Sequence, residues 1–257
     1  MSTGVRFRAE GAVGFVTLAR AQKRNALNDT AVLELQRLFS TLDPAVKAVV
    51  IDGEGEHFSA GLDLSELKEA DAVEGMLHSA MWHRAFQAIE FGRVPVVAAL
   101  HGAVVGGGLE LACACHVRVA DETAYYALPE GQRGIFVGGG GSVRLPRLIG
   151  VSRMQEMMLT GRTYGAAEAM PLGFSHYVVP KGGALAKATE LAKRIAQNAP
   201  VTNYAVMHAL PRIAEADPAA GYLTESLMAA VAQSAPEAKE RLRAFLEKKA
   251  GKVTHGG

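Results

Sequence analysis

His101-Gly102-Ala103-Val104-Val105-Gly106-Gly107-Gly108-Leu109-Glu110-Leu111-Ala112 is the stretch whose reading decides the fold. Just before it, Val94 to Leu100 is an apolar run that reads as a buried strand, and Gly107 to Cys115 has the character of a short helix. Strand, bare glycine turn and helix in succession are the parts of a wound α/β domain. At a helix N-terminus the backbone N–H groups lack partners, and together with the helix dipole they favour an anion or a developing oxyanion. Glu110 falls in the first turn, among Leu109, Leu111 and Ala112. It is either a partner of that dipole or a tuned acid/base.

Working outward, the same alternation recurs. Val5, Phe7 and Ala9 alternate with Arg6, Arg8 and Glu10, and Val13 to Leu18 continues after Gly11, which predicts an opening hairpin. Asn28 or Asp29 caps a helix whose apolar face is Val32, Leu35, Leu38, Phe39 and Leu42. Lys47 to Asp52 reads as a strand buried on both faces, Glu74 to Glu90 as a helix and Val117 to Ala120 as a strand. Gly131 to Gly141 is a glycine-rich loop. Beyond about Gly182 no strand signal remains; Ala184–Gln197, Val201–Ala214, Gly221–Gln233 and Pro236–Ala250 are all helical in period. The expected organisation is an α/β core over residues 1–195 and a helical C-terminal domain over 196–257.

Composition narrows the function classes. In 257 residues, 27 Lys+Arg against 26 Asp+Glu give a net charge of +1, so no global field points to nucleic acid or a membrane surface. Cys113 and Cys115 are too close in sequence to bridge without strain and have no histidines at zinc-site spacing. They read as small buried residues of a reducing, cytoplasmic compartment, and no metal is expected. The N-terminus has no apolar h-region and reads as a strand rather than a signal peptide.

Neither glycine cluster completes a dinucleotide or nucleoside-triphosphate fingerprint. His57-Phe58-Ser59-Ala60-Gly61-Leu62-Asp63-Leu64 lacks the glycine two residues before the serine that a nucleophile elbow needs, so Ser59 reads as a turn residue in a backbone hydrogen bond. Glu130, after Pro129, is by position a solvated loop carboxylate. His78, Trp82 and His83 read as packing residues of their helix.

Taken in order, these pieces resemble the crotonase (enoyl-CoA hydratase/isomerase) superfamily over nearly the whole chain. Lys23-Arg24-Asn25-Ala26-Leu27-Asn28 is similar to its N-terminal signature. Phe58-Ser59-Ala60-Gly61-Leu62-Asp63 and His101 to Ala112 are similar to its two oxyanion loops, and Leu128-Pro129-Glu130, Gly138 to Gly141, Arg144-Leu145-Pro146-Arg147 and Leu159-Thr160-Gly161-Arg162 follow in family order. The resemblance implies a crotonase-like ββα spiral core, with a helical tail that joins subunits as a trimer or a dimer of trimers.

It further implies a thioester oxyanion hole from the backbone N–H groups of Leu62 and Gly107. Coenzyme A contacts are implied at Lys23, Arg24, Ala60, Asp63 and Lys248, with coenzyme A present as part of the substrate and no separate cofactor. Glu110 is implied as the base toward water and Glu130 as the acid toward Cα. The implied activity is enoyl-CoA hydration; isomerase, hydrolase, dehalogenase and hydratase-lyase are alternatives on the same scaffold, and a non-catalytic or RNA-binding crotonase-like protein is the alternative of another class. The chain departs from the family pattern at Ile135-Phe136-Val137, Ser142-Val143-Arg144 and Cys115-His116, positions that bear on the acyl pocket or its supports.

Overall fold

The computed structural model describes residues 3–66 and 71–247. They fall into two compact units, divided between Ala196 and Gln197. In the first, a hairpin of β1 (Val5–Glu10) and β2 (Val13–Leu18) leads to α1 (Asp29–Ser40), β3 (Ala48–Gly53) and α2 (Ala72–Glu90). The chain continues with β4 (Val96–Leu100), β5 (Ala103–Val105), α3 (Gly107–Ala114), β6 (Val117–Asp121) and β7 (Tyr125–Ala127). The last elements are α4 (Gly141–Ile149), α5 (Val151–Thr160), β8 (Tyr164–Gly165), α6 (Ala166–Ala169), β9 (Tyr177–Val179) and α7 (Ala184–Ile195).

Two sheets result. The larger runs β1-β2-β3-β4-β6-β9 and is parallel from β2 onward; the smaller runs β5-β7-β8. A bridge between Ser59 and Val104 carries the loop after β3 to the edge of the small sheet. Successive turns of chain therefore add a strand to the large sheet, a short strand or bridge to the small one, and then a helix. This is the expected ββα winding.

Strand periodicity explains the two-sided core. Val49 and Ile51 of β3 join the cluster that includes Val32, Leu35, Phe86 and Leu109 on one face of the large sheet. Ala48 and Val50 point the other way and pack with Ala184, Ala188, Leu191 and Ala192 of α7. The continuous apolar run of β3 is thus a strand covered on both faces. α7, the first segment of the helical stretch in the sequence, belongs to the first unit and caps its sheet.

The second unit contains α8 (Pro200–Tyr204), a π-turn over Ala205–Ala209, α9 (Leu210–Glu215), α10 (Pro218–Ser234) and α11 (Pro236–Leu246). One helix over Val201–Ala214 is expected from the sequence. Pro211 breaks that register, because it has no N–H to return to the preceding turn, and the chain widens into the π-turn just before it. α10 starts earlier than its periodicity suggests because Asp217 accepts hydrogen bonds from the N–H groups of Ala219 and Ala220. Among the described residues no helix is long and apolar enough to cross a membrane.

Candidate active site

Two loops are latched together at the start of the site. Asn25 is buried, with a left-handed backbone, and its amide donates to the carbonyls of Glu54 and His57 at 2.9 and 2.7 Å while its Oδ1 accepts from the Arg20 N–H. Ser59 Oγ donates to the Asn25 carbonyl at 2.8 Å, the backbone hydrogen bond expected of it. Ala60 N–H then donates to Arg24 O, Leu27 N–H to Gly61 O, and Asp63 N–H to Leu27 O. In this parallel pairing the intervening N–H, that of Leu62, is turned away and donates to no protein group among the described residues.

It faces the N-terminus of α3. Gly61 makes the approach possible: its φ is +88°, and a methyl group there would lie 2.6 Å from Val105 O and 3.0 Å from Gly107 N. The Gly107 N–H is the first of α3 and is likewise unpartnered among the described residues. Trp82 of α2 packs its indole against the Cα of Gly107 and fixes the wall of the cleft at that point.

Glu110, three residues into α3, is buried, and its Oε1 accepts hydrogen bonds from Gly139 N–H at 2.8 Å and Gly141 N–H at 2.7 Å. A side chain on Gly141 would lie 2.8 Å from Glu110 Cγ, so the carboxylate fits only against bare backbone. Arg144 holds this loop in place by donating to Gly139 O at 3.0 Å and Glu90 Oε2 at 2.7 Å. Burial raises the Glu110 pKa, and the two loop N–H groups together with the Arg144 charge partly offset the rise.

Glu130 differs from its sequence reading. It is 7% exposed rather than solvated. The turn that follows it packs Gly131 against the Met158 carbonyl, and its own Oε1 sits against the Cα of Gly106. Its Oε2 is buried with no hydrogen-bond partner, and burial, helped by the negative charge of Glu110, pushes its pKa up to about 7. Glu130→Gln removes this penalty. The wild-type penalty is absent below pH ~4.5, where folded and unfolded states are both protonated, and fully developed above pH ~7. Thermal unfolding should show the variant more stable by on the order of 3 kcal/mol at pH 8 and no more stable at pH 4.

Ala60, Leu62, Gly107, Glu110 and Glu130 line one cleft of about 340 Å³. Leu64, Gly75, His78, Ser79 and Ile135 to Gly138 also line it, and Ser79 Oγ donates to Gly138 O at 2.7 Å. His78 is therefore a cleft residue as well as a packing one; its Nε2 is 2.7 Å from Asp29 Oδ1, which also accepts a long bond from Trp82 Nε1. The departures at Ile135-Phe136-Val137 and Arg144 lie in the wall and in its support.

The implied coenzyme A contacts fare unequally. Lys23 reaches Asp63 Oδ2 at 3.0 Å and Ser65 Oγ at 2.8 Å, and Arg24 donates to the Tyr125 hydroxyl. Asp63 turns its carboxylate toward protein partners. It is 5% exposed, and its carboxylate is taken up by Ser65, Lys23 and Arg20, the last at 2.7 Å; these partners hold its pKa well below the usual carboxylate range. It braces the Leu62 loop from behind. Lys248 lies outside the described residues.

The profile of the enoyl-CoA hydratase/isomerase family matches residues 8–255. The chain belongs to this family. It is 34% identical over 243 residues to the short-chain-enoyl-CoA hydratase of Clostridium acetobutylicum, with 93% of each chain covered. A solved structure from Rhodopseudomonas palustris CGA009, provisionally named an enoyl-CoA hydratase, superposes with a TM-score of 0.94 at 61% identity, covering 98% of this chain and 97% of the other. Another, from Thermobifida fusca YX and solved in complex with acetoacetyl-CoA, gives 0.81 at 28% identity over 89% and 94%. The crotonase-like fold expected from the sequence is confirmed by these neighbours.

Proposed function

We propose that this family member is an enoyl-CoA hydratase, adding water across the 2,3 double bond of an enoyl-CoA through an oxyanion-stabilised enolate. The observation that carries the reading is the meeting of two unpartnered backbone N–H groups and two buried carboxylates in one cleft. A thioester carbonyl placed between Leu62 N and Gly107 N has two preset donors for the charge that develops on its oxygen, with no side chain to reorganise.

The carboxylates divide the proton work. Glu110, held by two N–H donors on Oε1, keeps its second oxygen for a water molecule and acts as base toward C3. Glu130, with a pKa about 7 and an oxygen without a partner, carries the proton to C2. Two carboxylates facing one water do not both ionise freely, so the pair titrates as a unit. Alternatives with one working carboxylate leave the second buried glutamate unexplained.

Coenzyme A enters as part of the substrate, with Ala60, Lys23, Arg24 and Lys248 proposed on its nucleotide side and no further cofactor. Remote nucleotide contacts supply binding energy that orients the acyl group. Calorimetry should therefore show an acyl-CoA ester binding far more tightly than its free acid, and equal affinities would refute the reading. The second unit is proposed to join subunits into a trimer or a dimer of trimers. Tyr222, Leu223 and Leu227 of α10 and Leu242, Phe245 and Leu246 of α11 are each more than half exposed, more large apolar surface than a monomer ordinarily presents. Sedimentation at micromolar concentration should give the trimer or hexamer and no lone monomer.

A further inference from the structure

Gly75, His78, Ser79 and Trp82 occupy one face of α2 at helical spacing, and all four line the cleft. Trp82 marks the thioester end, because its ring lies on Gly107. Seven residues further toward the helix start, Gly75 lies on the order of 10 Å away along the axis. Gly106, Gly107 and Gly139 of the cleft answer to close contacts, as Gly107 does with Trp82. Gly75 does not: its φ is not positive, and among the described residues no heavy atom stands within 4 Å of the position a Cβ would take. Glycine inside a helix is destabilising relative to alanine, and neither backbone geometry nor packing among the described residues accounts for it.

What its missing side chain does is leave the far end of the cleft open. Along the same cleft, Leu64 is 41% exposed, Ile135 38% and Phe136 68%, apolar side chains open in part to solvent. We propose that Gly75 is a specificity-determining residue that admits acyl chains well beyond the four carbons of a crotonyl group, which lie along α2 and cover Leu64, Ile135 and Phe136. The proposal rests on the acyl-CoA reading above for the identity of the ligand.

Calorimetry with saturated esters tests it independently of turnover. The wild-type protein should bind decanoyl-CoA more tightly than butyryl-CoA by ~10²-fold or more, since burial of each added methylene contributes to affinity. Gly75→Phe should cut that gain by at least ~10-fold while butyryl-CoA affinity stays within about twofold. Gly75→Ala should fold at least as well as wild type and lose less of the gain. If Gly75→Phe fails to bind butyryl-CoA, Gly75→Val replaces it and is read in the same way.

A wild-type protein with no preference for decanoyl-CoA, as a short-chain enzyme would have, overturns the proposal. So does a length preference that survives the Phe or Val substitution. Crotonyl-CoA hydration, measured alongside, reports separately on the hydratase reading: its absence in wild type removes that reading, and the length gate still stands or falls by the calorimetry.

Discussion

Glu110→Gln and Glu130→Gln should each lower the hydration rate by ~10²–10⁴-fold, the usual worth of a positioned acid or base. Folding and coenzyme A ester binding should persist, because the amide is nearly isosteric and both proposed oxyanion donors are backbone. Groups that act on one water do not contribute independently, so the double variant should be little slower than the poorer single. The pH profile carries the sign of the assignment. Glu130 has to be protonated to deliver its proton, so kcat/KM should fall as pH rises through about 7, and Glu130→Gln should abolish that limb. A Glu130→Gln enzyme with wild-type turnover on every enoyl-CoA would leave a single working carboxylate and favour isomerisation.

An ester in place of the amide that precedes the Leu62 side chain should slow turnover by ~10²–10³-fold, the effect of losing one oxyanion donor. Replacing Leu62 by its α-hydroxy acid removes the N–H and weakens Gly61 O, now an ester carbonyl, as the acceptor of Leu27 N–H, a modest cost in stability. No protein hydrogen bond is lost, since that N–H donates to none among the described residues. The same exchange at Asp63, whose N–H is bonded to Leu27 O, should cost stability first and rate only as a consequence. Equal turnover by the Leu62 ester and the wild-type protein would mean that the thioester oxygen is bound elsewhere. Ordinary substitutions at position 62 should matter far less, because only the main chain is used.

The fold was largely readable in the residues because its main strands are covered on both faces and its helices carry clear apolar stripes. β3 and α1 are examples, each placed by pattern to within a residue or two. The small sheet was not readable. β5, β7, β8 and the Ser59 bridge span two or three residues or fewer, too short for a period to register, and they exist because the larger sheet brings distant segments together. Glu110 was ambiguous from position, and its surroundings depend on Gly139 and Gly141, about thirty residues further on, whose N–H groups reach its carboxylate. The burial of Glu130 had no local signal at all, since it depends on Met158 and Gly106 closing around a loop.

Asp63 has partners that its motif did not announce. Its place in a recognised motif suggested a ligand contact, whereas Arg20, which nothing in the sequence singled out, claims its carboxylate. A motif reports that a residue is needed, and the hydrogen-bond partners report what for.

The most direct test of the hydratase account is to incubate the protein with an enoyl-CoA in water enriched in ¹⁸O and follow the products by mass spectrometry. The account predicts a 3-hydroxyacyl-CoA with one ¹⁸O at C3 and the thioester intact. Label in a released free acid would indicate thioester hydrolysis, and a shifted double bond with no label would indicate isomerisation; either as the main product would contradict it.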